Sequence, residues 1–95
     1  MFHLDKAFLG ADALNISGGC MTTDERTSTI NELVVERAEK SYVLADSSKF
    51  NKTSFIRYAS IEQINTILTD SDIDKDTLKA YREAGARIEV VRAKS

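Results

Sequence analysis

The sequence predicts an α/β domain in which a mainly parallel sheet carries flanking helices. Short apolar runs that end at Gly or Asp alternate with two segments of helical periodicity, an order typical of such sheets. The 95 residues are 42% hydrophobic and 29% charged, a composition typical of a folded chain with one modest core. Two helices are few for a parallel sheet, which normally has both faces covered, so we expect one face to lack cover.

The first half of the chain predicts one strand, one long loop and one helix. Residues 4–9 end in an apolar run closed by glycine, which is typical of a buried strand. Residues 11–28 are rich in small and polar types without periodicity, and an irregular stretch of that length favours a binding loop. A helix is predicted over residues 30–40, with Thr29 as its N-cap and Glu32 completing a capping box. The apolar positions at helical spacing are Ile30, Leu33, Val34 and Ala38.

The second half predicts the remaining strands and a second helix. Apolar runs place strands at residues 42–45, 66–69 and 87–91, with a short strand at 55–58 and a helical turn at 61–64. Asp74 or Asp76 can cap a helix that runs to residue 84. Gly85 then supplies the left-handed residue that commonly follows the end of a helix.

Charge and cysteine content exclude several functions. Thirteen Lys and Arg against fifteen Asp and Glu give a net charge of −2, which argues against a self-sufficient nucleic-acid binder. Cys20 and His3 are the only residues of their types, so an internal disulfide and a Cys/His metal site are excluded, and no cofactor is expected. No run approaches the ~18 apolar residues of a membrane span. We therefore expect a cytoplasmic chain with no membrane partner.

Two polar clusters follow the ends of neighbouring predicted strands, where open parallel sheets bind ligands. The first contains Asp12, Gly18, Gly19, Thr22 and Thr23, and the second contains Asp46, Ser47, Ser48 and Lys49. Glycine lets backbone N–H groups approach an anion, lysine suits phosphate, and carboxylates accept hydrogen bonds from sugar hydroxyls. Together the clusters suit a small phosphorylated polyol.

Each of these residues also has a purely structural interpretation. The two glycines fit a simple turn, the Ser and Thr hydroxyls fit turns that satisfy loop backbone, and Asp12 fits a loop cap. Lys49 fits a solvated surface lysine, and Cys20, with no basic neighbour to activate it, fits a buried side chain. Spacing alone predicts an anion-binding α/β domain and no more, because the sequence lacks a catalytic triad, a P-loop and a dinucleotide motif.

Several strings in the chain resemble the effector-binding domain of the DeoR family of sugar-operon repressors. They are DKAFLGAD at residues 5–12, Gly19 with MTT at 21–23, LADSSKF at 44–50, ILTD at 67–70 and GARIEV at 85–90. The resemblance covers nearly the whole chain, and its most specific part is LADSSKF at its distance after Gly-Ala-Asp.

The resemblance implies the C-terminal part of a fold shared with pentose-phosphate isomerases, glucosamine-phosphate deaminases and CoA transferases. It implies a domain that binds a phosphorylated sugar without enzymatic turnover and thereby alters operator binding by an N-terminal winged helix-turn-helix. By position, the implied ligand contacts are Asp12, Gly19, Thr22, Thr23 and Lys49, with Asp46 and Ser48 behind them.

The resemblance also implies that residues 1–95 form only part of such a regulator. A repressor of this family carries a DNA-binding domain and the first half of the effector domain before Phe2, so both are expected to be absent. Self-association through an exposed sheet face or edge would compensate for the absent half of the domain. We therefore expect a homo-oligomer. Two alternatives stay open: the same strings are also similar to sugar-phosphate isomerases, of which the chain would be a fragment, or the isolated chain does nothing but dimerise.

Overall fold

The computed structural model describes residues 4–92, and within them it contains seven strands, two helices and one 3₁₀ turn. The strands are β1 (Leu4–Gly10), β2 (Ala13–Asn15), β3 (Gly19–Thr22), β4 (Ala38–Leu44), β5 (Ile56–Ala59), β6 (Thr66–Asp70) and β7 (Ile88–Val91). The helices are α1 (Glu25–Arg37) and α2 (Lys75–Glu83), and the 3₁₀ turn spans Ser47–Lys49. His3 lies outside the described residues.

Strands β1, β4, β6 and β7 form a four-stranded parallel sheet in that order. Their register places Leu9, Val43, Ile67 and Ile88 in one row across the sheet. This row belongs to the hydrophobic core, against which Val35 of α1 and Tyr81 of α2 also pack. The predicted α/β class, with a mainly parallel sheet and flanking helices, is confirmed.

Strands β2, β3 and β5 form a second, antiparallel sheet that the sequence did not predict. The expectation of an irregular loop over residues 11–28 is wrong, because that stretch holds β2, β3 and the start of α1. All four residues of β3 are buried, so this strand lacks the polar and apolar alternation that identifies a strand in sequence. The short strand predicted at residues 55–58 exists as β5, but it pairs with β3.

Helix α1 begins five residues before its predicted start, with Asp24 as its N-cap. The Asp24 carboxylate accepts hydrogen bonds from the Thr27 backbone N–H at 3.1 Å and the Thr27 hydroxyl at 2.7 Å. These bonds satisfy an N–H group that helix geometry leaves without a partner. The predicted capping box of Thr29 and Glu32 is therefore wrong, and the Thr29 hydroxyl instead donates to the Glu25 carbonyl at 3.1 Å.

The two most buried residues of α1 are polar. Ser28 and Asn31 are buried, whereas Ile30 and Leu33 are 60% and 44% exposed. The apolar spacing that predicted this helix therefore does not mark its inner face. The polar inner face lies beside the end of β1, where Asn31 helps to line a cleft described below.

Helix α2 agrees with its prediction. The Asp74 carboxylate accepts a hydrogen bond from the Thr77 backbone N–H at 3.1 Å, so Asp74 is the N-cap. Gly85 follows the helix with a φ of +104°, a backbone conformation that favours glycine. The side chain of Tyr81, on the inner face of α2, is fully buried.

The second face of the parallel sheet carries exposed apolar side chains. Phe8, Leu44 and Val91 are 63%, 50% and 53% exposed, and the ring of Phe8 stacks on that of Tyr42 with centroids 5.0 Å apart. Both helices of the described chain pack against the opposite, buried row. Within residues 4–92, no helix covers this second face, in agreement with the expectation.

Candidate functional site

The candidate site lies between the end of β1 and the end of β3. The backbone N–H of Asp12 donates to the Met21 carbonyl at 2.9 Å, which places the Asp12 side chain beside the end of β3. Asp12 Oδ2 then accepts hydrogen bonds from the Thr22 hydroxyl at 3.0 Å, the Thr23 backbone N–H at 3.0 Å and the Thr23 hydroxyl at 3.5 Å. The structure thus brings together three predicted site residues.

These bonds keep Asp12 ionised. The backbone N–H of Thr23 and the hydroxyl of Thr22 lower the pKa of Asp12 below its ordinary value, and the positive charge of Lys49 lowers it further. A carboxylate with a lowered pKa is a weak base, which argues against proton transfer as its task. Within residues 4–92 no protein group donates to Oδ1, so this oxygen is open to a ligand.

A cleft of about 450 Å³ lies between the end of β1, the end of β3 and the first turns of α1. It is lined by Phe8, Leu9, Gly10, Asp12, Thr22, Thr23, Asp24, Thr27 and Asn31. This lining contains two carboxylates and no lysine or arginine, and the N-terminus of α1 is already capped by Asp24. Such a cleft suits hydroxyl groups that donate hydrogen bonds, and it disfavours phosphate.

The cation of the site comes from the 3₁₀ turn after β4. Asp46 caps this turn by accepting from the Ser48 backbone N–H at 2.9 Å and from the Ser48 hydroxyl. Asp70, at the end of β6, accepts from the Ser47 backbone N–H at 3.0 Å, and that bond lowers the pKa of Asp70. Two carboxylates thus hold the turn that presents Lys49, half-buried and close enough to Asp12 to lower the pKa of Asp12.

The residues after Lys49 tie this turn to the second sheet. Phe50 forms a β-bridge with Leu14, and the Asn51 backbone N–H donates to the Tyr81 hydroxyl at 3.0 Å. That hydroxyl lies within hydrogen-bond distance of the Leu14 carbonyl, at 3.2 Å, and of the Asn51 side-chain oxygen, at 3.0 Å. Because Leu14 belongs to β2, the position of Lys49 is coupled to the strands that hold Asp12.

Not every predicted contact lies in this arrangement. Gly19 is at the start of β3, whereas Thr22 is at its end. A Cβ atom at Gly19 would lie 2.2 Å from the Ala59 carbonyl oxygen, and its φ is +76°, so glycine is required there by packing and backbone conformation. Asp46 and Ser48 bond to each other, which gives them a supporting position behind Lys49.

Two residues that support the site were not singled out in the sequence. Asp70 holds the Lys49 turn, and Tyr81 holds the Asn51 segment. The sequence did carry a signal for Asp70. Asp70 ends one predicted strand, and the neighbouring predicted strand is the one that precedes Lys49. For Tyr81 no such signal exists, because a tyrosine on an inner helix face normally predicts packing alone.

Cys20 takes no part in the site. Its side chain is fully buried, and burial raises the pKa of the thiol to about 12. The thiol is therefore protonated at neutral pH and unsuited to nucleophilic attack. Residues 4–92 also contain no group of three or more Cys, His, Asp or Glu placed to hold a metal ion.

Comparison with known proteins decides the family. The model of the DeoR C terminal sensor domain matches residues 1–71 of the chain. The chain belongs to this family. The chain is 36% identical over 86 residues to the HTH-type transcriptional regulator GlpR of Haloferax volcanii, covering 90% of this chain and 34% of that protein. It is also 36% identical over 90 residues to a putative aga operon transcriptional repressor of Escherichia coli O157:H7. That match covers 95% of this chain and 34% of that protein.

A third DeoR relative is the L-fucose operon activator of Haemophilus influenzae, 32% identical over 81 residues that cover 85% of this chain and 32% of that protein. The chain therefore spans about a third of the length of these relatives. The family and these relatives are transcriptional regulators and not enzymes. Their names include both a repressor and an activator. No helix within residues 4–92 is long and apolar enough to cross a membrane.

Proposed function

We propose that this chain is the effector-sensing portion of a DeoR-type repressor of a sugar-utilisation operon, and that it binds a phosphorylated sugar. The observation that carries the proposal is the Asp12 carboxylate at the edge of a polar cleft, with Oδ2 held by Thr22 and Thr23 and Oδ1 open, and with Lys49 supplying a positive charge that it feels. A hydroxyl receptor with an anion receptor within electrostatic reach of it matches the two ends of a sugar phosphate.

The charges orient the ligand. Asp12 and Asp24 make the cleft beside β1 negative, so the hydroxyl end of the sugar enters it and donates to the open oxygen of Asp12. The phosphate is repelled by the same carboxylates and pairs with Lys49 outside the cleft. The hydroxyl of Thr22 donates to Asp12 and accepts from the Asp24 backbone N–H, so Thr22 holds the carboxylate in place.

Binding would act on DNA indirectly. With a net charge of −2, this chain is not itself the DNA-contacting part, which we assign to an N-terminal helix-turn-helix domain outside the 95 residues. Sugar phosphate would then change operator affinity through a coupling free energy of about 1–3 kcal/mol. We place this activity in the cytoplasm, in a homo-oligomer without a metal or other cofactor.

Calorimetric titration of the 95-residue chain tests the proposal. The ligands are the phosphates of tagatose, fructose, glycerol and deoxyribose, each compared with its unphosphorylated form. We expect one phosphate to bind and its parent compound to bind at least tenfold more weakly, since a charge-assisted hydrogen bond contributes about 1.5–3 kcal/mol. Absence of binding by every phosphate at millimolar concentration would overturn the proposal.

Matched variants then locate the site. Lys49→Ala should remove the preference for the phosphorylated form, whereas Lys52→Ala, at an exposed lysine three residues later, should leave it unchanged. Asp12→Asn should weaken binding of both forms, with Asp5→Asn, at an exposed residue near the start of β1, as its control. If the control variants lose as much affinity as the site variants, the ligand does not bind between Asp12 and Lys49.

A further inference from the structure

Asn31 of α1 is a buried polar residue whose side chain has no hydrogen-bond partner within residues 4–92. It is 7% exposed, and neither end of its amide is bonded to another described group. The other asparagines, which are Asn15, Asn51 and Asn65, are less buried, and all of them form side-chain hydrogen bonds. Because an unpaired amide is costly to bury, we expect Asn31 to meet a partner outside these residues.

Helix geometry aims the Asn31 amide into the cleft beside β1. Asn31 lies four residues after Thr27 and seven after Asp24, so these residues share one face of α1, and all three line the cleft. A helical side chain leans toward the N-terminus of its helix, which directs Asn31 toward the turn of Thr27. Along the helix axis Asn31 lies about 10 Å from Asp24. Asn31 therefore lines the end of the cleft that is away from the N-cap.

Asn31 supplies a group that the rest of this lining lacks. The hydroxyls of Thr22, Thr23 and Thr27 all donate to the two carboxylates of the cleft. Among the lining side chains, all of which belong to residues 4–92, the amide of Asn31 therefore holds the only uncommitted N–H or O–H donors. A sugar hydroxyl can accept one hydrogen bond while it donates another. The open oxygen of Asp12 can receive the donated bond, and Asn31 can provide the accepted one.

We propose that Asn31 binds the hydroxyl end of the sugar, with its amide Nδ2 donating to a hydroxyl oxygen at the end remote from the phosphate. This inference rests on the proposed function and specifies its ligand class, which is a phosphorylated polyol or sugar with a free hydroxyl at that end. A deoxy analogue has no oxygen at that position and would leave the amide unpaired. Asn31 is thus the residue that selects against deoxy analogues.

Two pairs of phosphates test this selection by calorimetric titration of the 95-residue chain. Glycerol 3-phosphate is compared with 1,2-propanediol 1-phosphate, and ribose 5-phosphate with 2-deoxyribose 5-phosphate, because each pair differs in one hydroxyl remote from the phosphate. We expect the hydroxylated member to bind about three- to tenfold more tightly, which corresponds to one hydrogen bond. In Asn31→Leu the two members should bind equally, whereas Glu32→Gln, at the next residue and outside the cleft, should keep the difference.

Nuclear magnetic resonance of the parent chain observes the amide directly and does not depend on a variant. Titration with the same phosphates, and with glycerol and ribose, should shift the signals of Asn31 Nδ2 and its protons. The Asn15 amide is the internal control, because it already donates to the Lys52 carbonyl at 2.9 Å and does not line the cleft. Equal shifts of both amides would indicate a general effect of the added compound and would overturn the proposal.

Urea unfolding distinguishes a ligand-binding amide from a structural one. Asn31→Leu removes an unpaired polar group from a buried position and introduces a better helix former, so the unfolding midpoint should not fall. Binding of the hydroxylated phosphates should nevertheless weaken. A midpoint that falls together with the affinity would mean that the amide supports the fold, and it would overturn the proposal.

The results also separate this inference from the proposed function. If a phosphate binds but the Asn31 signals do not move, the inference is wrong and the proposed function stands. If glycerol or ribose moves these signals as strongly as its phosphate does at the same concentration, the role of Asn31 stands and phosphate recognition is wrong. Absence of binding by every one of these compounds overturns both.

Discussion

Removing one hydroxyl group tests how the Lys49 turn is held. In Tyr81→Phe the Asn51 backbone N–H loses its acceptor, while the Leu14 carbonyl keeps the hydrogen bond from the Lys52 backbone N–H at 3.0 Å. Burial raises the pKa of the Tyr81 phenol, so the group is neutral and available for these bonds at physiological pH. A partly buried donor without a partner costs about 1–3 kcal/mol of the free energy of unfolding.

Thermal unfolding measures this cost. At about 4–8 °C per kcal/mol for a domain of this size, Tyr81→Phe should lower Tm by about 5–20 °C. Tyr42→Phe is the matched control, because the Tyr42 hydroxyl has no hydrogen bond within residues 4–92, and its Tm should change by less than about 2 °C. Equal effects of the two substitutions would refute the assignment of Tyr81 as the residue that anchors Asn51.

Three further predictions concern the second sheet and the titrating groups. Gly19→Ala should lower the free energy of unfolding, measured in urea, by about 2 kcal/mol or more. The left-handed conformation alone costs about 1–2 kcal/mol, and the added Cβ meets the Ala59 carbonyl. A smaller loss than that of Gly10→Ala, at a site with open space, would contradict this. Cys20 should react with a disulfide reagent no faster than the chain unfolds, and rapid reaction of the native chain would contradict its burial. The pKa of Asp12 is lower in the folded than in the unfolded chain, so it stabilises the fold above the unfolded pKa, and this contribution is lost as pH falls through the folded pKa. Asp12→Asn should therefore flatten the loss of stability in acid, and an unchanged slope would contradict the hydrogen bonds assigned to Asp12.

The parallel sheet was predictable because its signals are local. Each core strand is a short apolar run, and the order of runs and helical segments fixes a parallel topology. The two polar clusters could be paired for the same reason, since the strands before them are neighbours in the sheet. Sequence alone therefore brought Asp12 and Lys49 to one region of the molecule.

The second sheet and the start of α1 were not predictable in this way. Strand β3 is buried along its whole length, so its four residues show no periodicity. Both Asp24 and Thr29 satisfy the sequence rule for a helix N-cap, so the rule does not identify which of them begins α1. Burial of polar residues on a helix face depends on tertiary packing. The apolar spacing of the sequence therefore did not reveal that Ile30 is exposed.

The two carboxylates in the cleft beside β1 have a consequence for selectivity under the proposed function. An oxidised sugar, such as an aldonic or uronic acid phosphate, carries an extra negative charge at the end that would enter the cleft. Asp12 and Asp24 would repel that charge, and no cation lines the cleft to offset it. The sensor would thus bind the phosphates of neutral sugars and would bind the acids formed by oxidation of the same sugars more weakly.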